Sequence, residues 1–235
     1  MKLKQYIGRH RTNLVTYGVV ILGFVIMQML SASHMLSSSV EGFLVPICAY
    51  VVLAVSLNLV VGISGELSLG HAGFMGVGAF TGIIVAALLK TVIASKVLLL
   101  IVAIVCGGVM AGLFGVVIGL PVMRLRGDYL AIVTLAFGEI LKNLINNMYV
   151  GSDANGVHFV IGTEKPLLAE GGSMVINGPM GATGVTKLAT FPIGFALILV
   201  TLFVVLNLIN SREGRAIKAV RDNRIAAESV GINVT

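Results

Sequence analysis

Apolar residues gather along the chain in long runs, with polar residues confined mostly to the intervals between them. A helix crossing the hydrocarbon core needs roughly 20 such residues, with a range of about 17–25. Six runs meet or approach that length: residues 14–30, 43–61, 72–89, 97–120, 129–148 and 191–209. The pattern predicts an all-α, polytopic transmembrane protein with about six spans. The first run follows Lys2, Lys4, Arg9 and Arg11 and ends in "SAS", residues 31–33, which imitates a signal-peptidase site. Its length and the spans behind it favour a retained first helix, and either outcome puts the N-terminus in the cytoplasm.

Composition agrees. The 235 residues are 57% hydrophobic and 11% charged, against about 25% charged in a soluble domain. The net charge of +6 is therefore no nucleic-acid footprint; its meaning lies in which loops carry it. With the N-terminus inside, Lys2, Lys4, Arg9, Arg11, Arg124, Arg126, Arg212, Arg215, Lys218, Arg221 and Arg224 face the cytoplasm. Lys90, Lys96, Lys142, Lys165 and Lys187 fall in outer segments or at helix ends. That bias follows the positive-inside rule, and six spans return the segment 210–235 to the cytoplasm. The interval 150–190 is then external; it is rich in Gly, Ser and Thr, with a turn signal at "NGP". A solvated connector and a docking element both fit an interval of that length. Cys48 and Cys106 lie in apolar runs without metal or redox spacing and read as small hydrophobes.

Glycine punctuates the centre. In "SLNLVVGISGELSLGHAGFMGVGAF", residues 56–80, glycines 62, 65, 70, 73, 76 and 78 interrupt the junction of the second and third spans. Such spacing permits close helix approach, and also broken backbone of the kind that lines transporter pathways. Asn58, Gly62, Gly65, Gly70, His71 and Gly73 are accordingly candidate pathway or packing residues. Each has a plainer reading: Asn58, Ser56 and Ser68 as packing hydrogen-bonders, and His71 with Glu66 as a helix-end pair and not a metal site. "GFMGVG" lacks the spacing and the Lys-Ser/Thr pair of a phosphate-binding loop.

A second polar cluster lies in "RLRGDYLAIVTLAFGEILKNLINN", residues 124–147. Arg124 and Arg126 should snorkel to the inner face beside Asp128. Glu139 and Lys142, three apart, can pair on one helix face. Intramembrane carboxylates are costly and often functional, so Glu139 is also a pathway candidate, with structural pairing the better-supported role. No catalytic triad, zinc-hydrolase motif or metal-spaced cysteine pair emerges, so the chain reads as a non-enzyme.

The closing stretch "NSREGRAIKAVRDNRIAAESVGINVT", residues 210–235, projects Ala216, Ala219, Val220, Ala227 and Val230 onto one side of a helix, with Asn223 as a polar interruption. Arg221, Arg224 and Glu228 gather on another side. The apolar face lacks Phe, Leu and Trp, so burial in lipid would gain little. A groove in a protein partner suits it better.

Four stretches, "SLNLVVGISGELSLGHAGFMGVGAF", "LRGDYLAIVTLAFGEILKN", "NGPMGATGV" and "GRAIKAVRDNRIAAESVGIN", together resemble the LivM-type permease subunits of branched-chain amino-acid ABC importers. The resemblance implies a bacterial inner-membrane permease that works with a second related permease, two cytoplasmic ABC ATPases and an external solute-binding protein. It implies no cofactor on this chain, with ATP and Mg on the ATPases. It also makes 210–235 a coupling segment, in which Gly214, Arg215, Arg221, Arg224, Ala226, Ala227, Glu228 and Gly231 would engage an ATPase. Members of that family continue past this segment with further spans, so the chain is expected to be a fragment of a longer permease or a shortened paralogue. The alternatives are an ion-coupled secondary transporter or channel, using Glu139, Asp128 or Glu66, and a membrane scaffold.

Overall fold

The structure, a computed structural model, describes residues 2–33, 35–90, 92–122, 125, 127–153, 156–162, 166, 172–183, 185 and 187–232, with side chains from residue 14 onward. Arg124, Arg126, Lys165 and Thr235 lie outside the described residues, as do the side chains of Lys2, Lys4, Arg9 and Arg11. The chain divides into two compact units, one drawn from the stretches up to Gly65 and from Ala189 onward, the other formed by Glu66–Leu188.

The first unit contains α1 (Lys2–Ala32), α2 (Ser38–Asn58), α6 (Phe191–Asn210), α7 (Arg212–Asp222) and α8 (Arg224–Ser229). Helices this apolar expose their large side chains outward, Leu14 at 70% and Met29 at 69% among them. Lipid, and not water, is the solvent in which such a surface is stable. Among themselves the helices meet at specific points. Phe24 of α1 stacks on Phe195 of α6 with ring centroids 4.0 Å apart. Gly194 of α6 leaves room for Cys48 of α2; a Cβ there would come within 2.9 Å of the cysteine Cβ. Cys48 is a buried free thiol and Cys106, in the other unit, a half-buried one.

The second unit contains α3 (His71–Leu89), α4 (Lys96–Val122), α5 (Asp128–Asn146) and three short strands, β1 (Met148–Asp153), β2 (Gly156–Ile161) and β3 (Ser173–Asn177). Helices α3 and α4 approach through small residues. A Cβ on Gly107 would overlap the carbonyl oxygen of Gly78, and one on Gly82 would lie 3.3 Å from the carbonyl oxygen of Ala103. The strands form an antiparallel sheet in the order β2-β1-β3. Val150 and Ile176 pair across it, with an irregularity after Val150. Both are fully buried, in a cluster that packs on Phe80, Ile83, Ile84 and Ala87 of α3. The chain is thus mainly helical, with one small sheet inside the interval that the sequence presents as a connector.

Among the described residues, five helices are long and apolar enough to cross a membrane, within Leu14–Ala32, Ser38–Ser64, His71–Leu89, Lys96–Val122 and Phe191–Asn210. They coincide with five of the six predicted runs. The remaining run, 129–148, is helical as α5 but stands outside that set, because Glu139, Lys142, Asn143 and Asn146 make its C-terminal half polar.

Candidate functional site

The glycine-rich stretch falls into both units, and each part builds a different arrangement. In the first unit, α2 does not end cleanly. It widens into a π-helical turn, Leu59–Ser64, closed by Gly65 at φ +78° with its N–H donating to the carbonyl of Val60. Such turns are rare and tend to mark places where a helix is adjusted for function. The left-handed conformation suits glycine and would be strained with any Cβ. Asn58 folds its side chain over Gly62, so that a Cβ on Gly62 would overlap the Asn58 amide. Ser56 donates to the carbonyl of Leu53 at 2.9 Å, in keeping with a packing role.

Arg221, predicted in the tail, reaches this turn. Its Nη1 donates to the carbonyl oxygen of Gly62 at 2.9 Å, and its Cγ lies where a Cβ on Gly65 would have to go, 2.6 Å away. Nη2 and Nε donate to Oδ1 of Asp222 at 2.8 and 3.0 Å, which holds the guanidinium in place. Helix π-turn and tail are therefore joined through one side chain. Asn58, Gly62, Gly65 and Arg221 form a single cluster.

The tail itself departs from the single helix implied by its projection. Asn223 is extended, at φ -159° and ψ 107°, and separates α7 from α8. Its side-chain oxygen accepts the N–H of Ala226 at 3.0 Å, an N-cap that asparagine makes more readily than it continues a helix. Gly231, at φ +85°, ends α8: its N–H donates to the carbonyl of Glu228 and that of Ile232 to Ala227, the paired bonds of a Schellman turn. Gly231 is thus accounted for as a helix stop.

The other predicted coupling residues sort by exposure. Ala227 is buried, at 3%. Gly214 is also buried, against the carbonyl oxygens of Leu208 and Ile209 where α6 turns into α7. Arg215 donates to the carbonyl of Asn210 at 3.0 Å and closes the end of α6. Arg224 pairs with Glu228 at 3.3 Å. Ala226 and Glu228 are exposed, and so is Ile225, at 79%. The helical projection missed Ile225 because it was drawn through the break at Asn223. Ser211 caps α7 by accepting the N–H of Gly214 at 3.0 Å. Hydrogen bonding to its own backbone amide, and then to the Ser211 hydroxyl, holds the Glu213 carboxyl below the usual glutamate range.

In the second unit, Gly70, His71 and Gly73 stand at the start of α3, with Gly70 and Gly73 against α5. A Cβ on Gly70 would overlap the carbonyl oxygen of Thr134, and one on Gly73 would lie 3.0 Å from Leu141 Cδ1 and 3.3 Å from Gly138 Cα. The N–H of Leu69 donates to Thr134 Oγ1 at 3.1 Å, a contact that sequence gave no reason to expect. Further along, α3 and α5 diverge around a cavity of about 450 Å³. Gly73, Gly76 and Phe80 line one wall, Gly138, Glu139 and Lys142 another, and the 3-10 turn Gly178–Met180 contributes Gly178 and Pro179. Glu139 Oε1 and Lys142 Nζ pair at 3.0 Å with most of each side chain exposed, as their spacing predicts. Asp128 and Glu66 are exposed, the first starting α5 and the second in the segment before α3.

The family described as "Branched-chain amino acid transport system / permease component" matches residues 39–235. The high-affinity branched-chain amino acid transport system permease protein LivM of Escherichia coli strain K12 is 36% identical over 78% of this chain and 44% of its own length. The protein of the same name from Salmonella typhimurium is 35% identical over 79% of this chain and 44% of its own. The chain therefore spans less than half the length of these curated relatives. No solved structure is significantly similar to it.

Proposed function

The chain belongs to the branched-chain amino acid transport permease family, and from that premise we propose that it lines part of the pathway of an ATP-driven importer. Its cargo would be leucine, isoleucine or valine, or a related small polar solute. ATP and Mg would be handled by two separate cytoplasmic ATPase subunits, with a second related permease completing the pathway and an external solute-binding protein delivering cargo. With α5 as a sixth crossing, the N-terminus and the tail share the cytoplasmic side of a bacterial inner membrane, as the positive-inside bias favours.

The observation that carries this reading is the Arg221 clasp. An ATPase pressing on the exposed part of α8 would displace α7, and Arg221 would pass that displacement to the carbonyl of Gly62. A π-helical turn is a suitable receiver, since a small change of register converts it to ordinary helix. The ion-coupled alternative draws less support: Glu139 is exposed and pairs with Lys142, and Asp128 and Glu66 are exposed near helix starts.

The test is gentle purification of the native assembly, followed by reconstitution in vesicles and uptake of labelled leucine. ATP-dependent uptake that survives a protonophore, with an ATPase and a sister permease recovered alongside, is the expected result. Uptake that needs no ATP and collapses with the protonophore would establish the secondary transporter instead.

A further inference from the structure

Three of the four stretches that carry the family resemblance lie far apart in sequence yet meet at one place. "GHAGFMGVGAF" supplies the α3 wall of the cavity, "LAFGEILKN" the α5 wall, and "NGPMG" the turn that closes it. All of these residues lie in the unit Glu66–Leu188. The clasp at Arg221 makes no use of them.

The cavity combines three properties. Its interior is apolar, with Phe80, Leu135 and Ile145 on the lining. Gly73, Gly76 and Gly138 line it without side chains, and Gly76 packs closely on Ile145, where a Cβ would stand 3.2 Å from Cδ1. At about 450 Å³ it falls in the range of roughly 300–1,000 Å³ that holds small molecules. Its charged groups are one carboxylate and one ammonium, Glu139 and Lys142, held 3.0 Å apart and open to solvent.

An isolated anion would find Glu139 against it, and an isolated cation Lys142. A molecule bearing both charges can satisfy both, exchanging one protein ion pair for two charge-assisted bonds. Because an exposed pair is worth little on its own, opening it costs the protein little. Resting on the transport reading above, we propose that this cavity is a transient binding site for a zwitterionic apolar amino acid. Lys142 receives its carboxylate, Glu139 its ammonium, and the apolar floor between α3 and α5 its branched side chain. A zwitterionic phospholipid headgroup carries the same two charges, and the test separates the two sources.

The probe is photo-leucine, whose diazirine lies on the side chain, applied to the purified permease–ATPase assembly without solute-binding protein. Crosslinks are mapped by mass spectrometry. Labels are expected on Phe80, Leu135 or Ile145, displaced by leucine but not by 4-methylpentanoate or isoamylamine, which each lack one charge. Glu139→Gln and Lys142→Gln should each cut labelling about twofold to fivefold, as loss of a solvent-open charged contact implies. The swap Glu139→Lys with Lys142→Glu should leave it low, whereas a purely structural pair would be restored by the swap. Ala72→Leu, which fills the cavity without touching the charges, should also abolish labelling. Labels outside the cavity, recovery in the swap, or displacement by phosphoethanolamine and not by leucine would overturn the proposal. Absence of label in an assembly that takes up leucine with ATP once solute-binding protein is added back would overturn it while leaving the transport reading intact. Absence of ATP-driven uptake under those conditions would remove that reading and the proposal with it.

Discussion

In the unit Glu66–Leu188 the tightest helix contacts are backbone to backbone, beside the ring pair Phe74 and Phe137. In the unit built from the two ends of the chain, by contrast, rings and a guanidinium join the helices alongside the close fit of Gly194 on Cys48. Gly107 faces the carbonyl of Gly78, and Gly70 that of Thr134. In the other unit Phe24 stacks on Phe195, and Arg221 bonds Gly62. The difference follows from what each must resist. Within a hydrocarbon solvent there is no hydrophobic drive to bring helices together, so close fit and interhelical polar bonds must supply it. Backbone contact gives such a fit no tolerance. A contact made by the end of a long side chain can be remade in a new position, which suits the coupling movement proposed for the tail.

The comparison can be broken most forcefully at Gly107. Gly107→Val places a branched side chain against the Gly78 carbonyl and should cost about 1–3 kcal/mol or more, read as loss of folded protein in detergent. A full yield of stable Gly107→Val protein would show that α3 and α4 do not depend on this approach. Gly65→Ala comes next. A Cβ at φ +78° costs roughly 1–2 kcal/mol and evicts Arg221 as well, so transport should fall further than stability. Asn223→Ala removes the cap of α8 and should destabilise the tail by about 1 kcal/mol, visible as faster amide exchange at Ala226 and Ala227 with little change in α3–α5.

The smallest expected effect is at Glu213. Its carboxyl titrates below the ordinary range in the folded chain, so its contribution to the first turn of α7 is present above the ordinary glutamate pKa. That contribution is lost as the pH falls through the lowered value. Glu213→Gln should therefore lower the Tm slightly at neutral pH, and the difference from the parent should shrink on acidification. A difference that grows towards low pH would contradict the assignment.

Long apolar runs made the helices legible in the sequence, because a run that must bury its own backbone bonds in lipid has no other form available. The pair Glu139 and Lys142 was legible from spacing alone, and so was the interruption at Gly65. The sheet was not. Its strands are five or six residues long, Gly151 and a register irregularity spoil their alternation, and Ile176 is buried only because it meets a strand that lies well before it in sequence. The cavity was hidden for the same reason, since its third wall comes from Gly178–Met180. Asn223 was visible as a polar interruption, but only its extended backbone identifies it as a cap that splits the tail and leaves Ile225 exposed.

The most direct test of the account is the ratio of leucine imported to ATP hydrolysed by the reconstituted assembly carrying Arg221→Met. This change keeps the length and apolar stem of the side chain while removing its bond to Gly62. Loss of a charged hydrogen bond at the clasp should reduce that ratio by at least about fivefold, with hydrolysis continuing. A ratio equal to that of the parent would mean that motion of the tail reaches the membrane helices by some route other than Arg221.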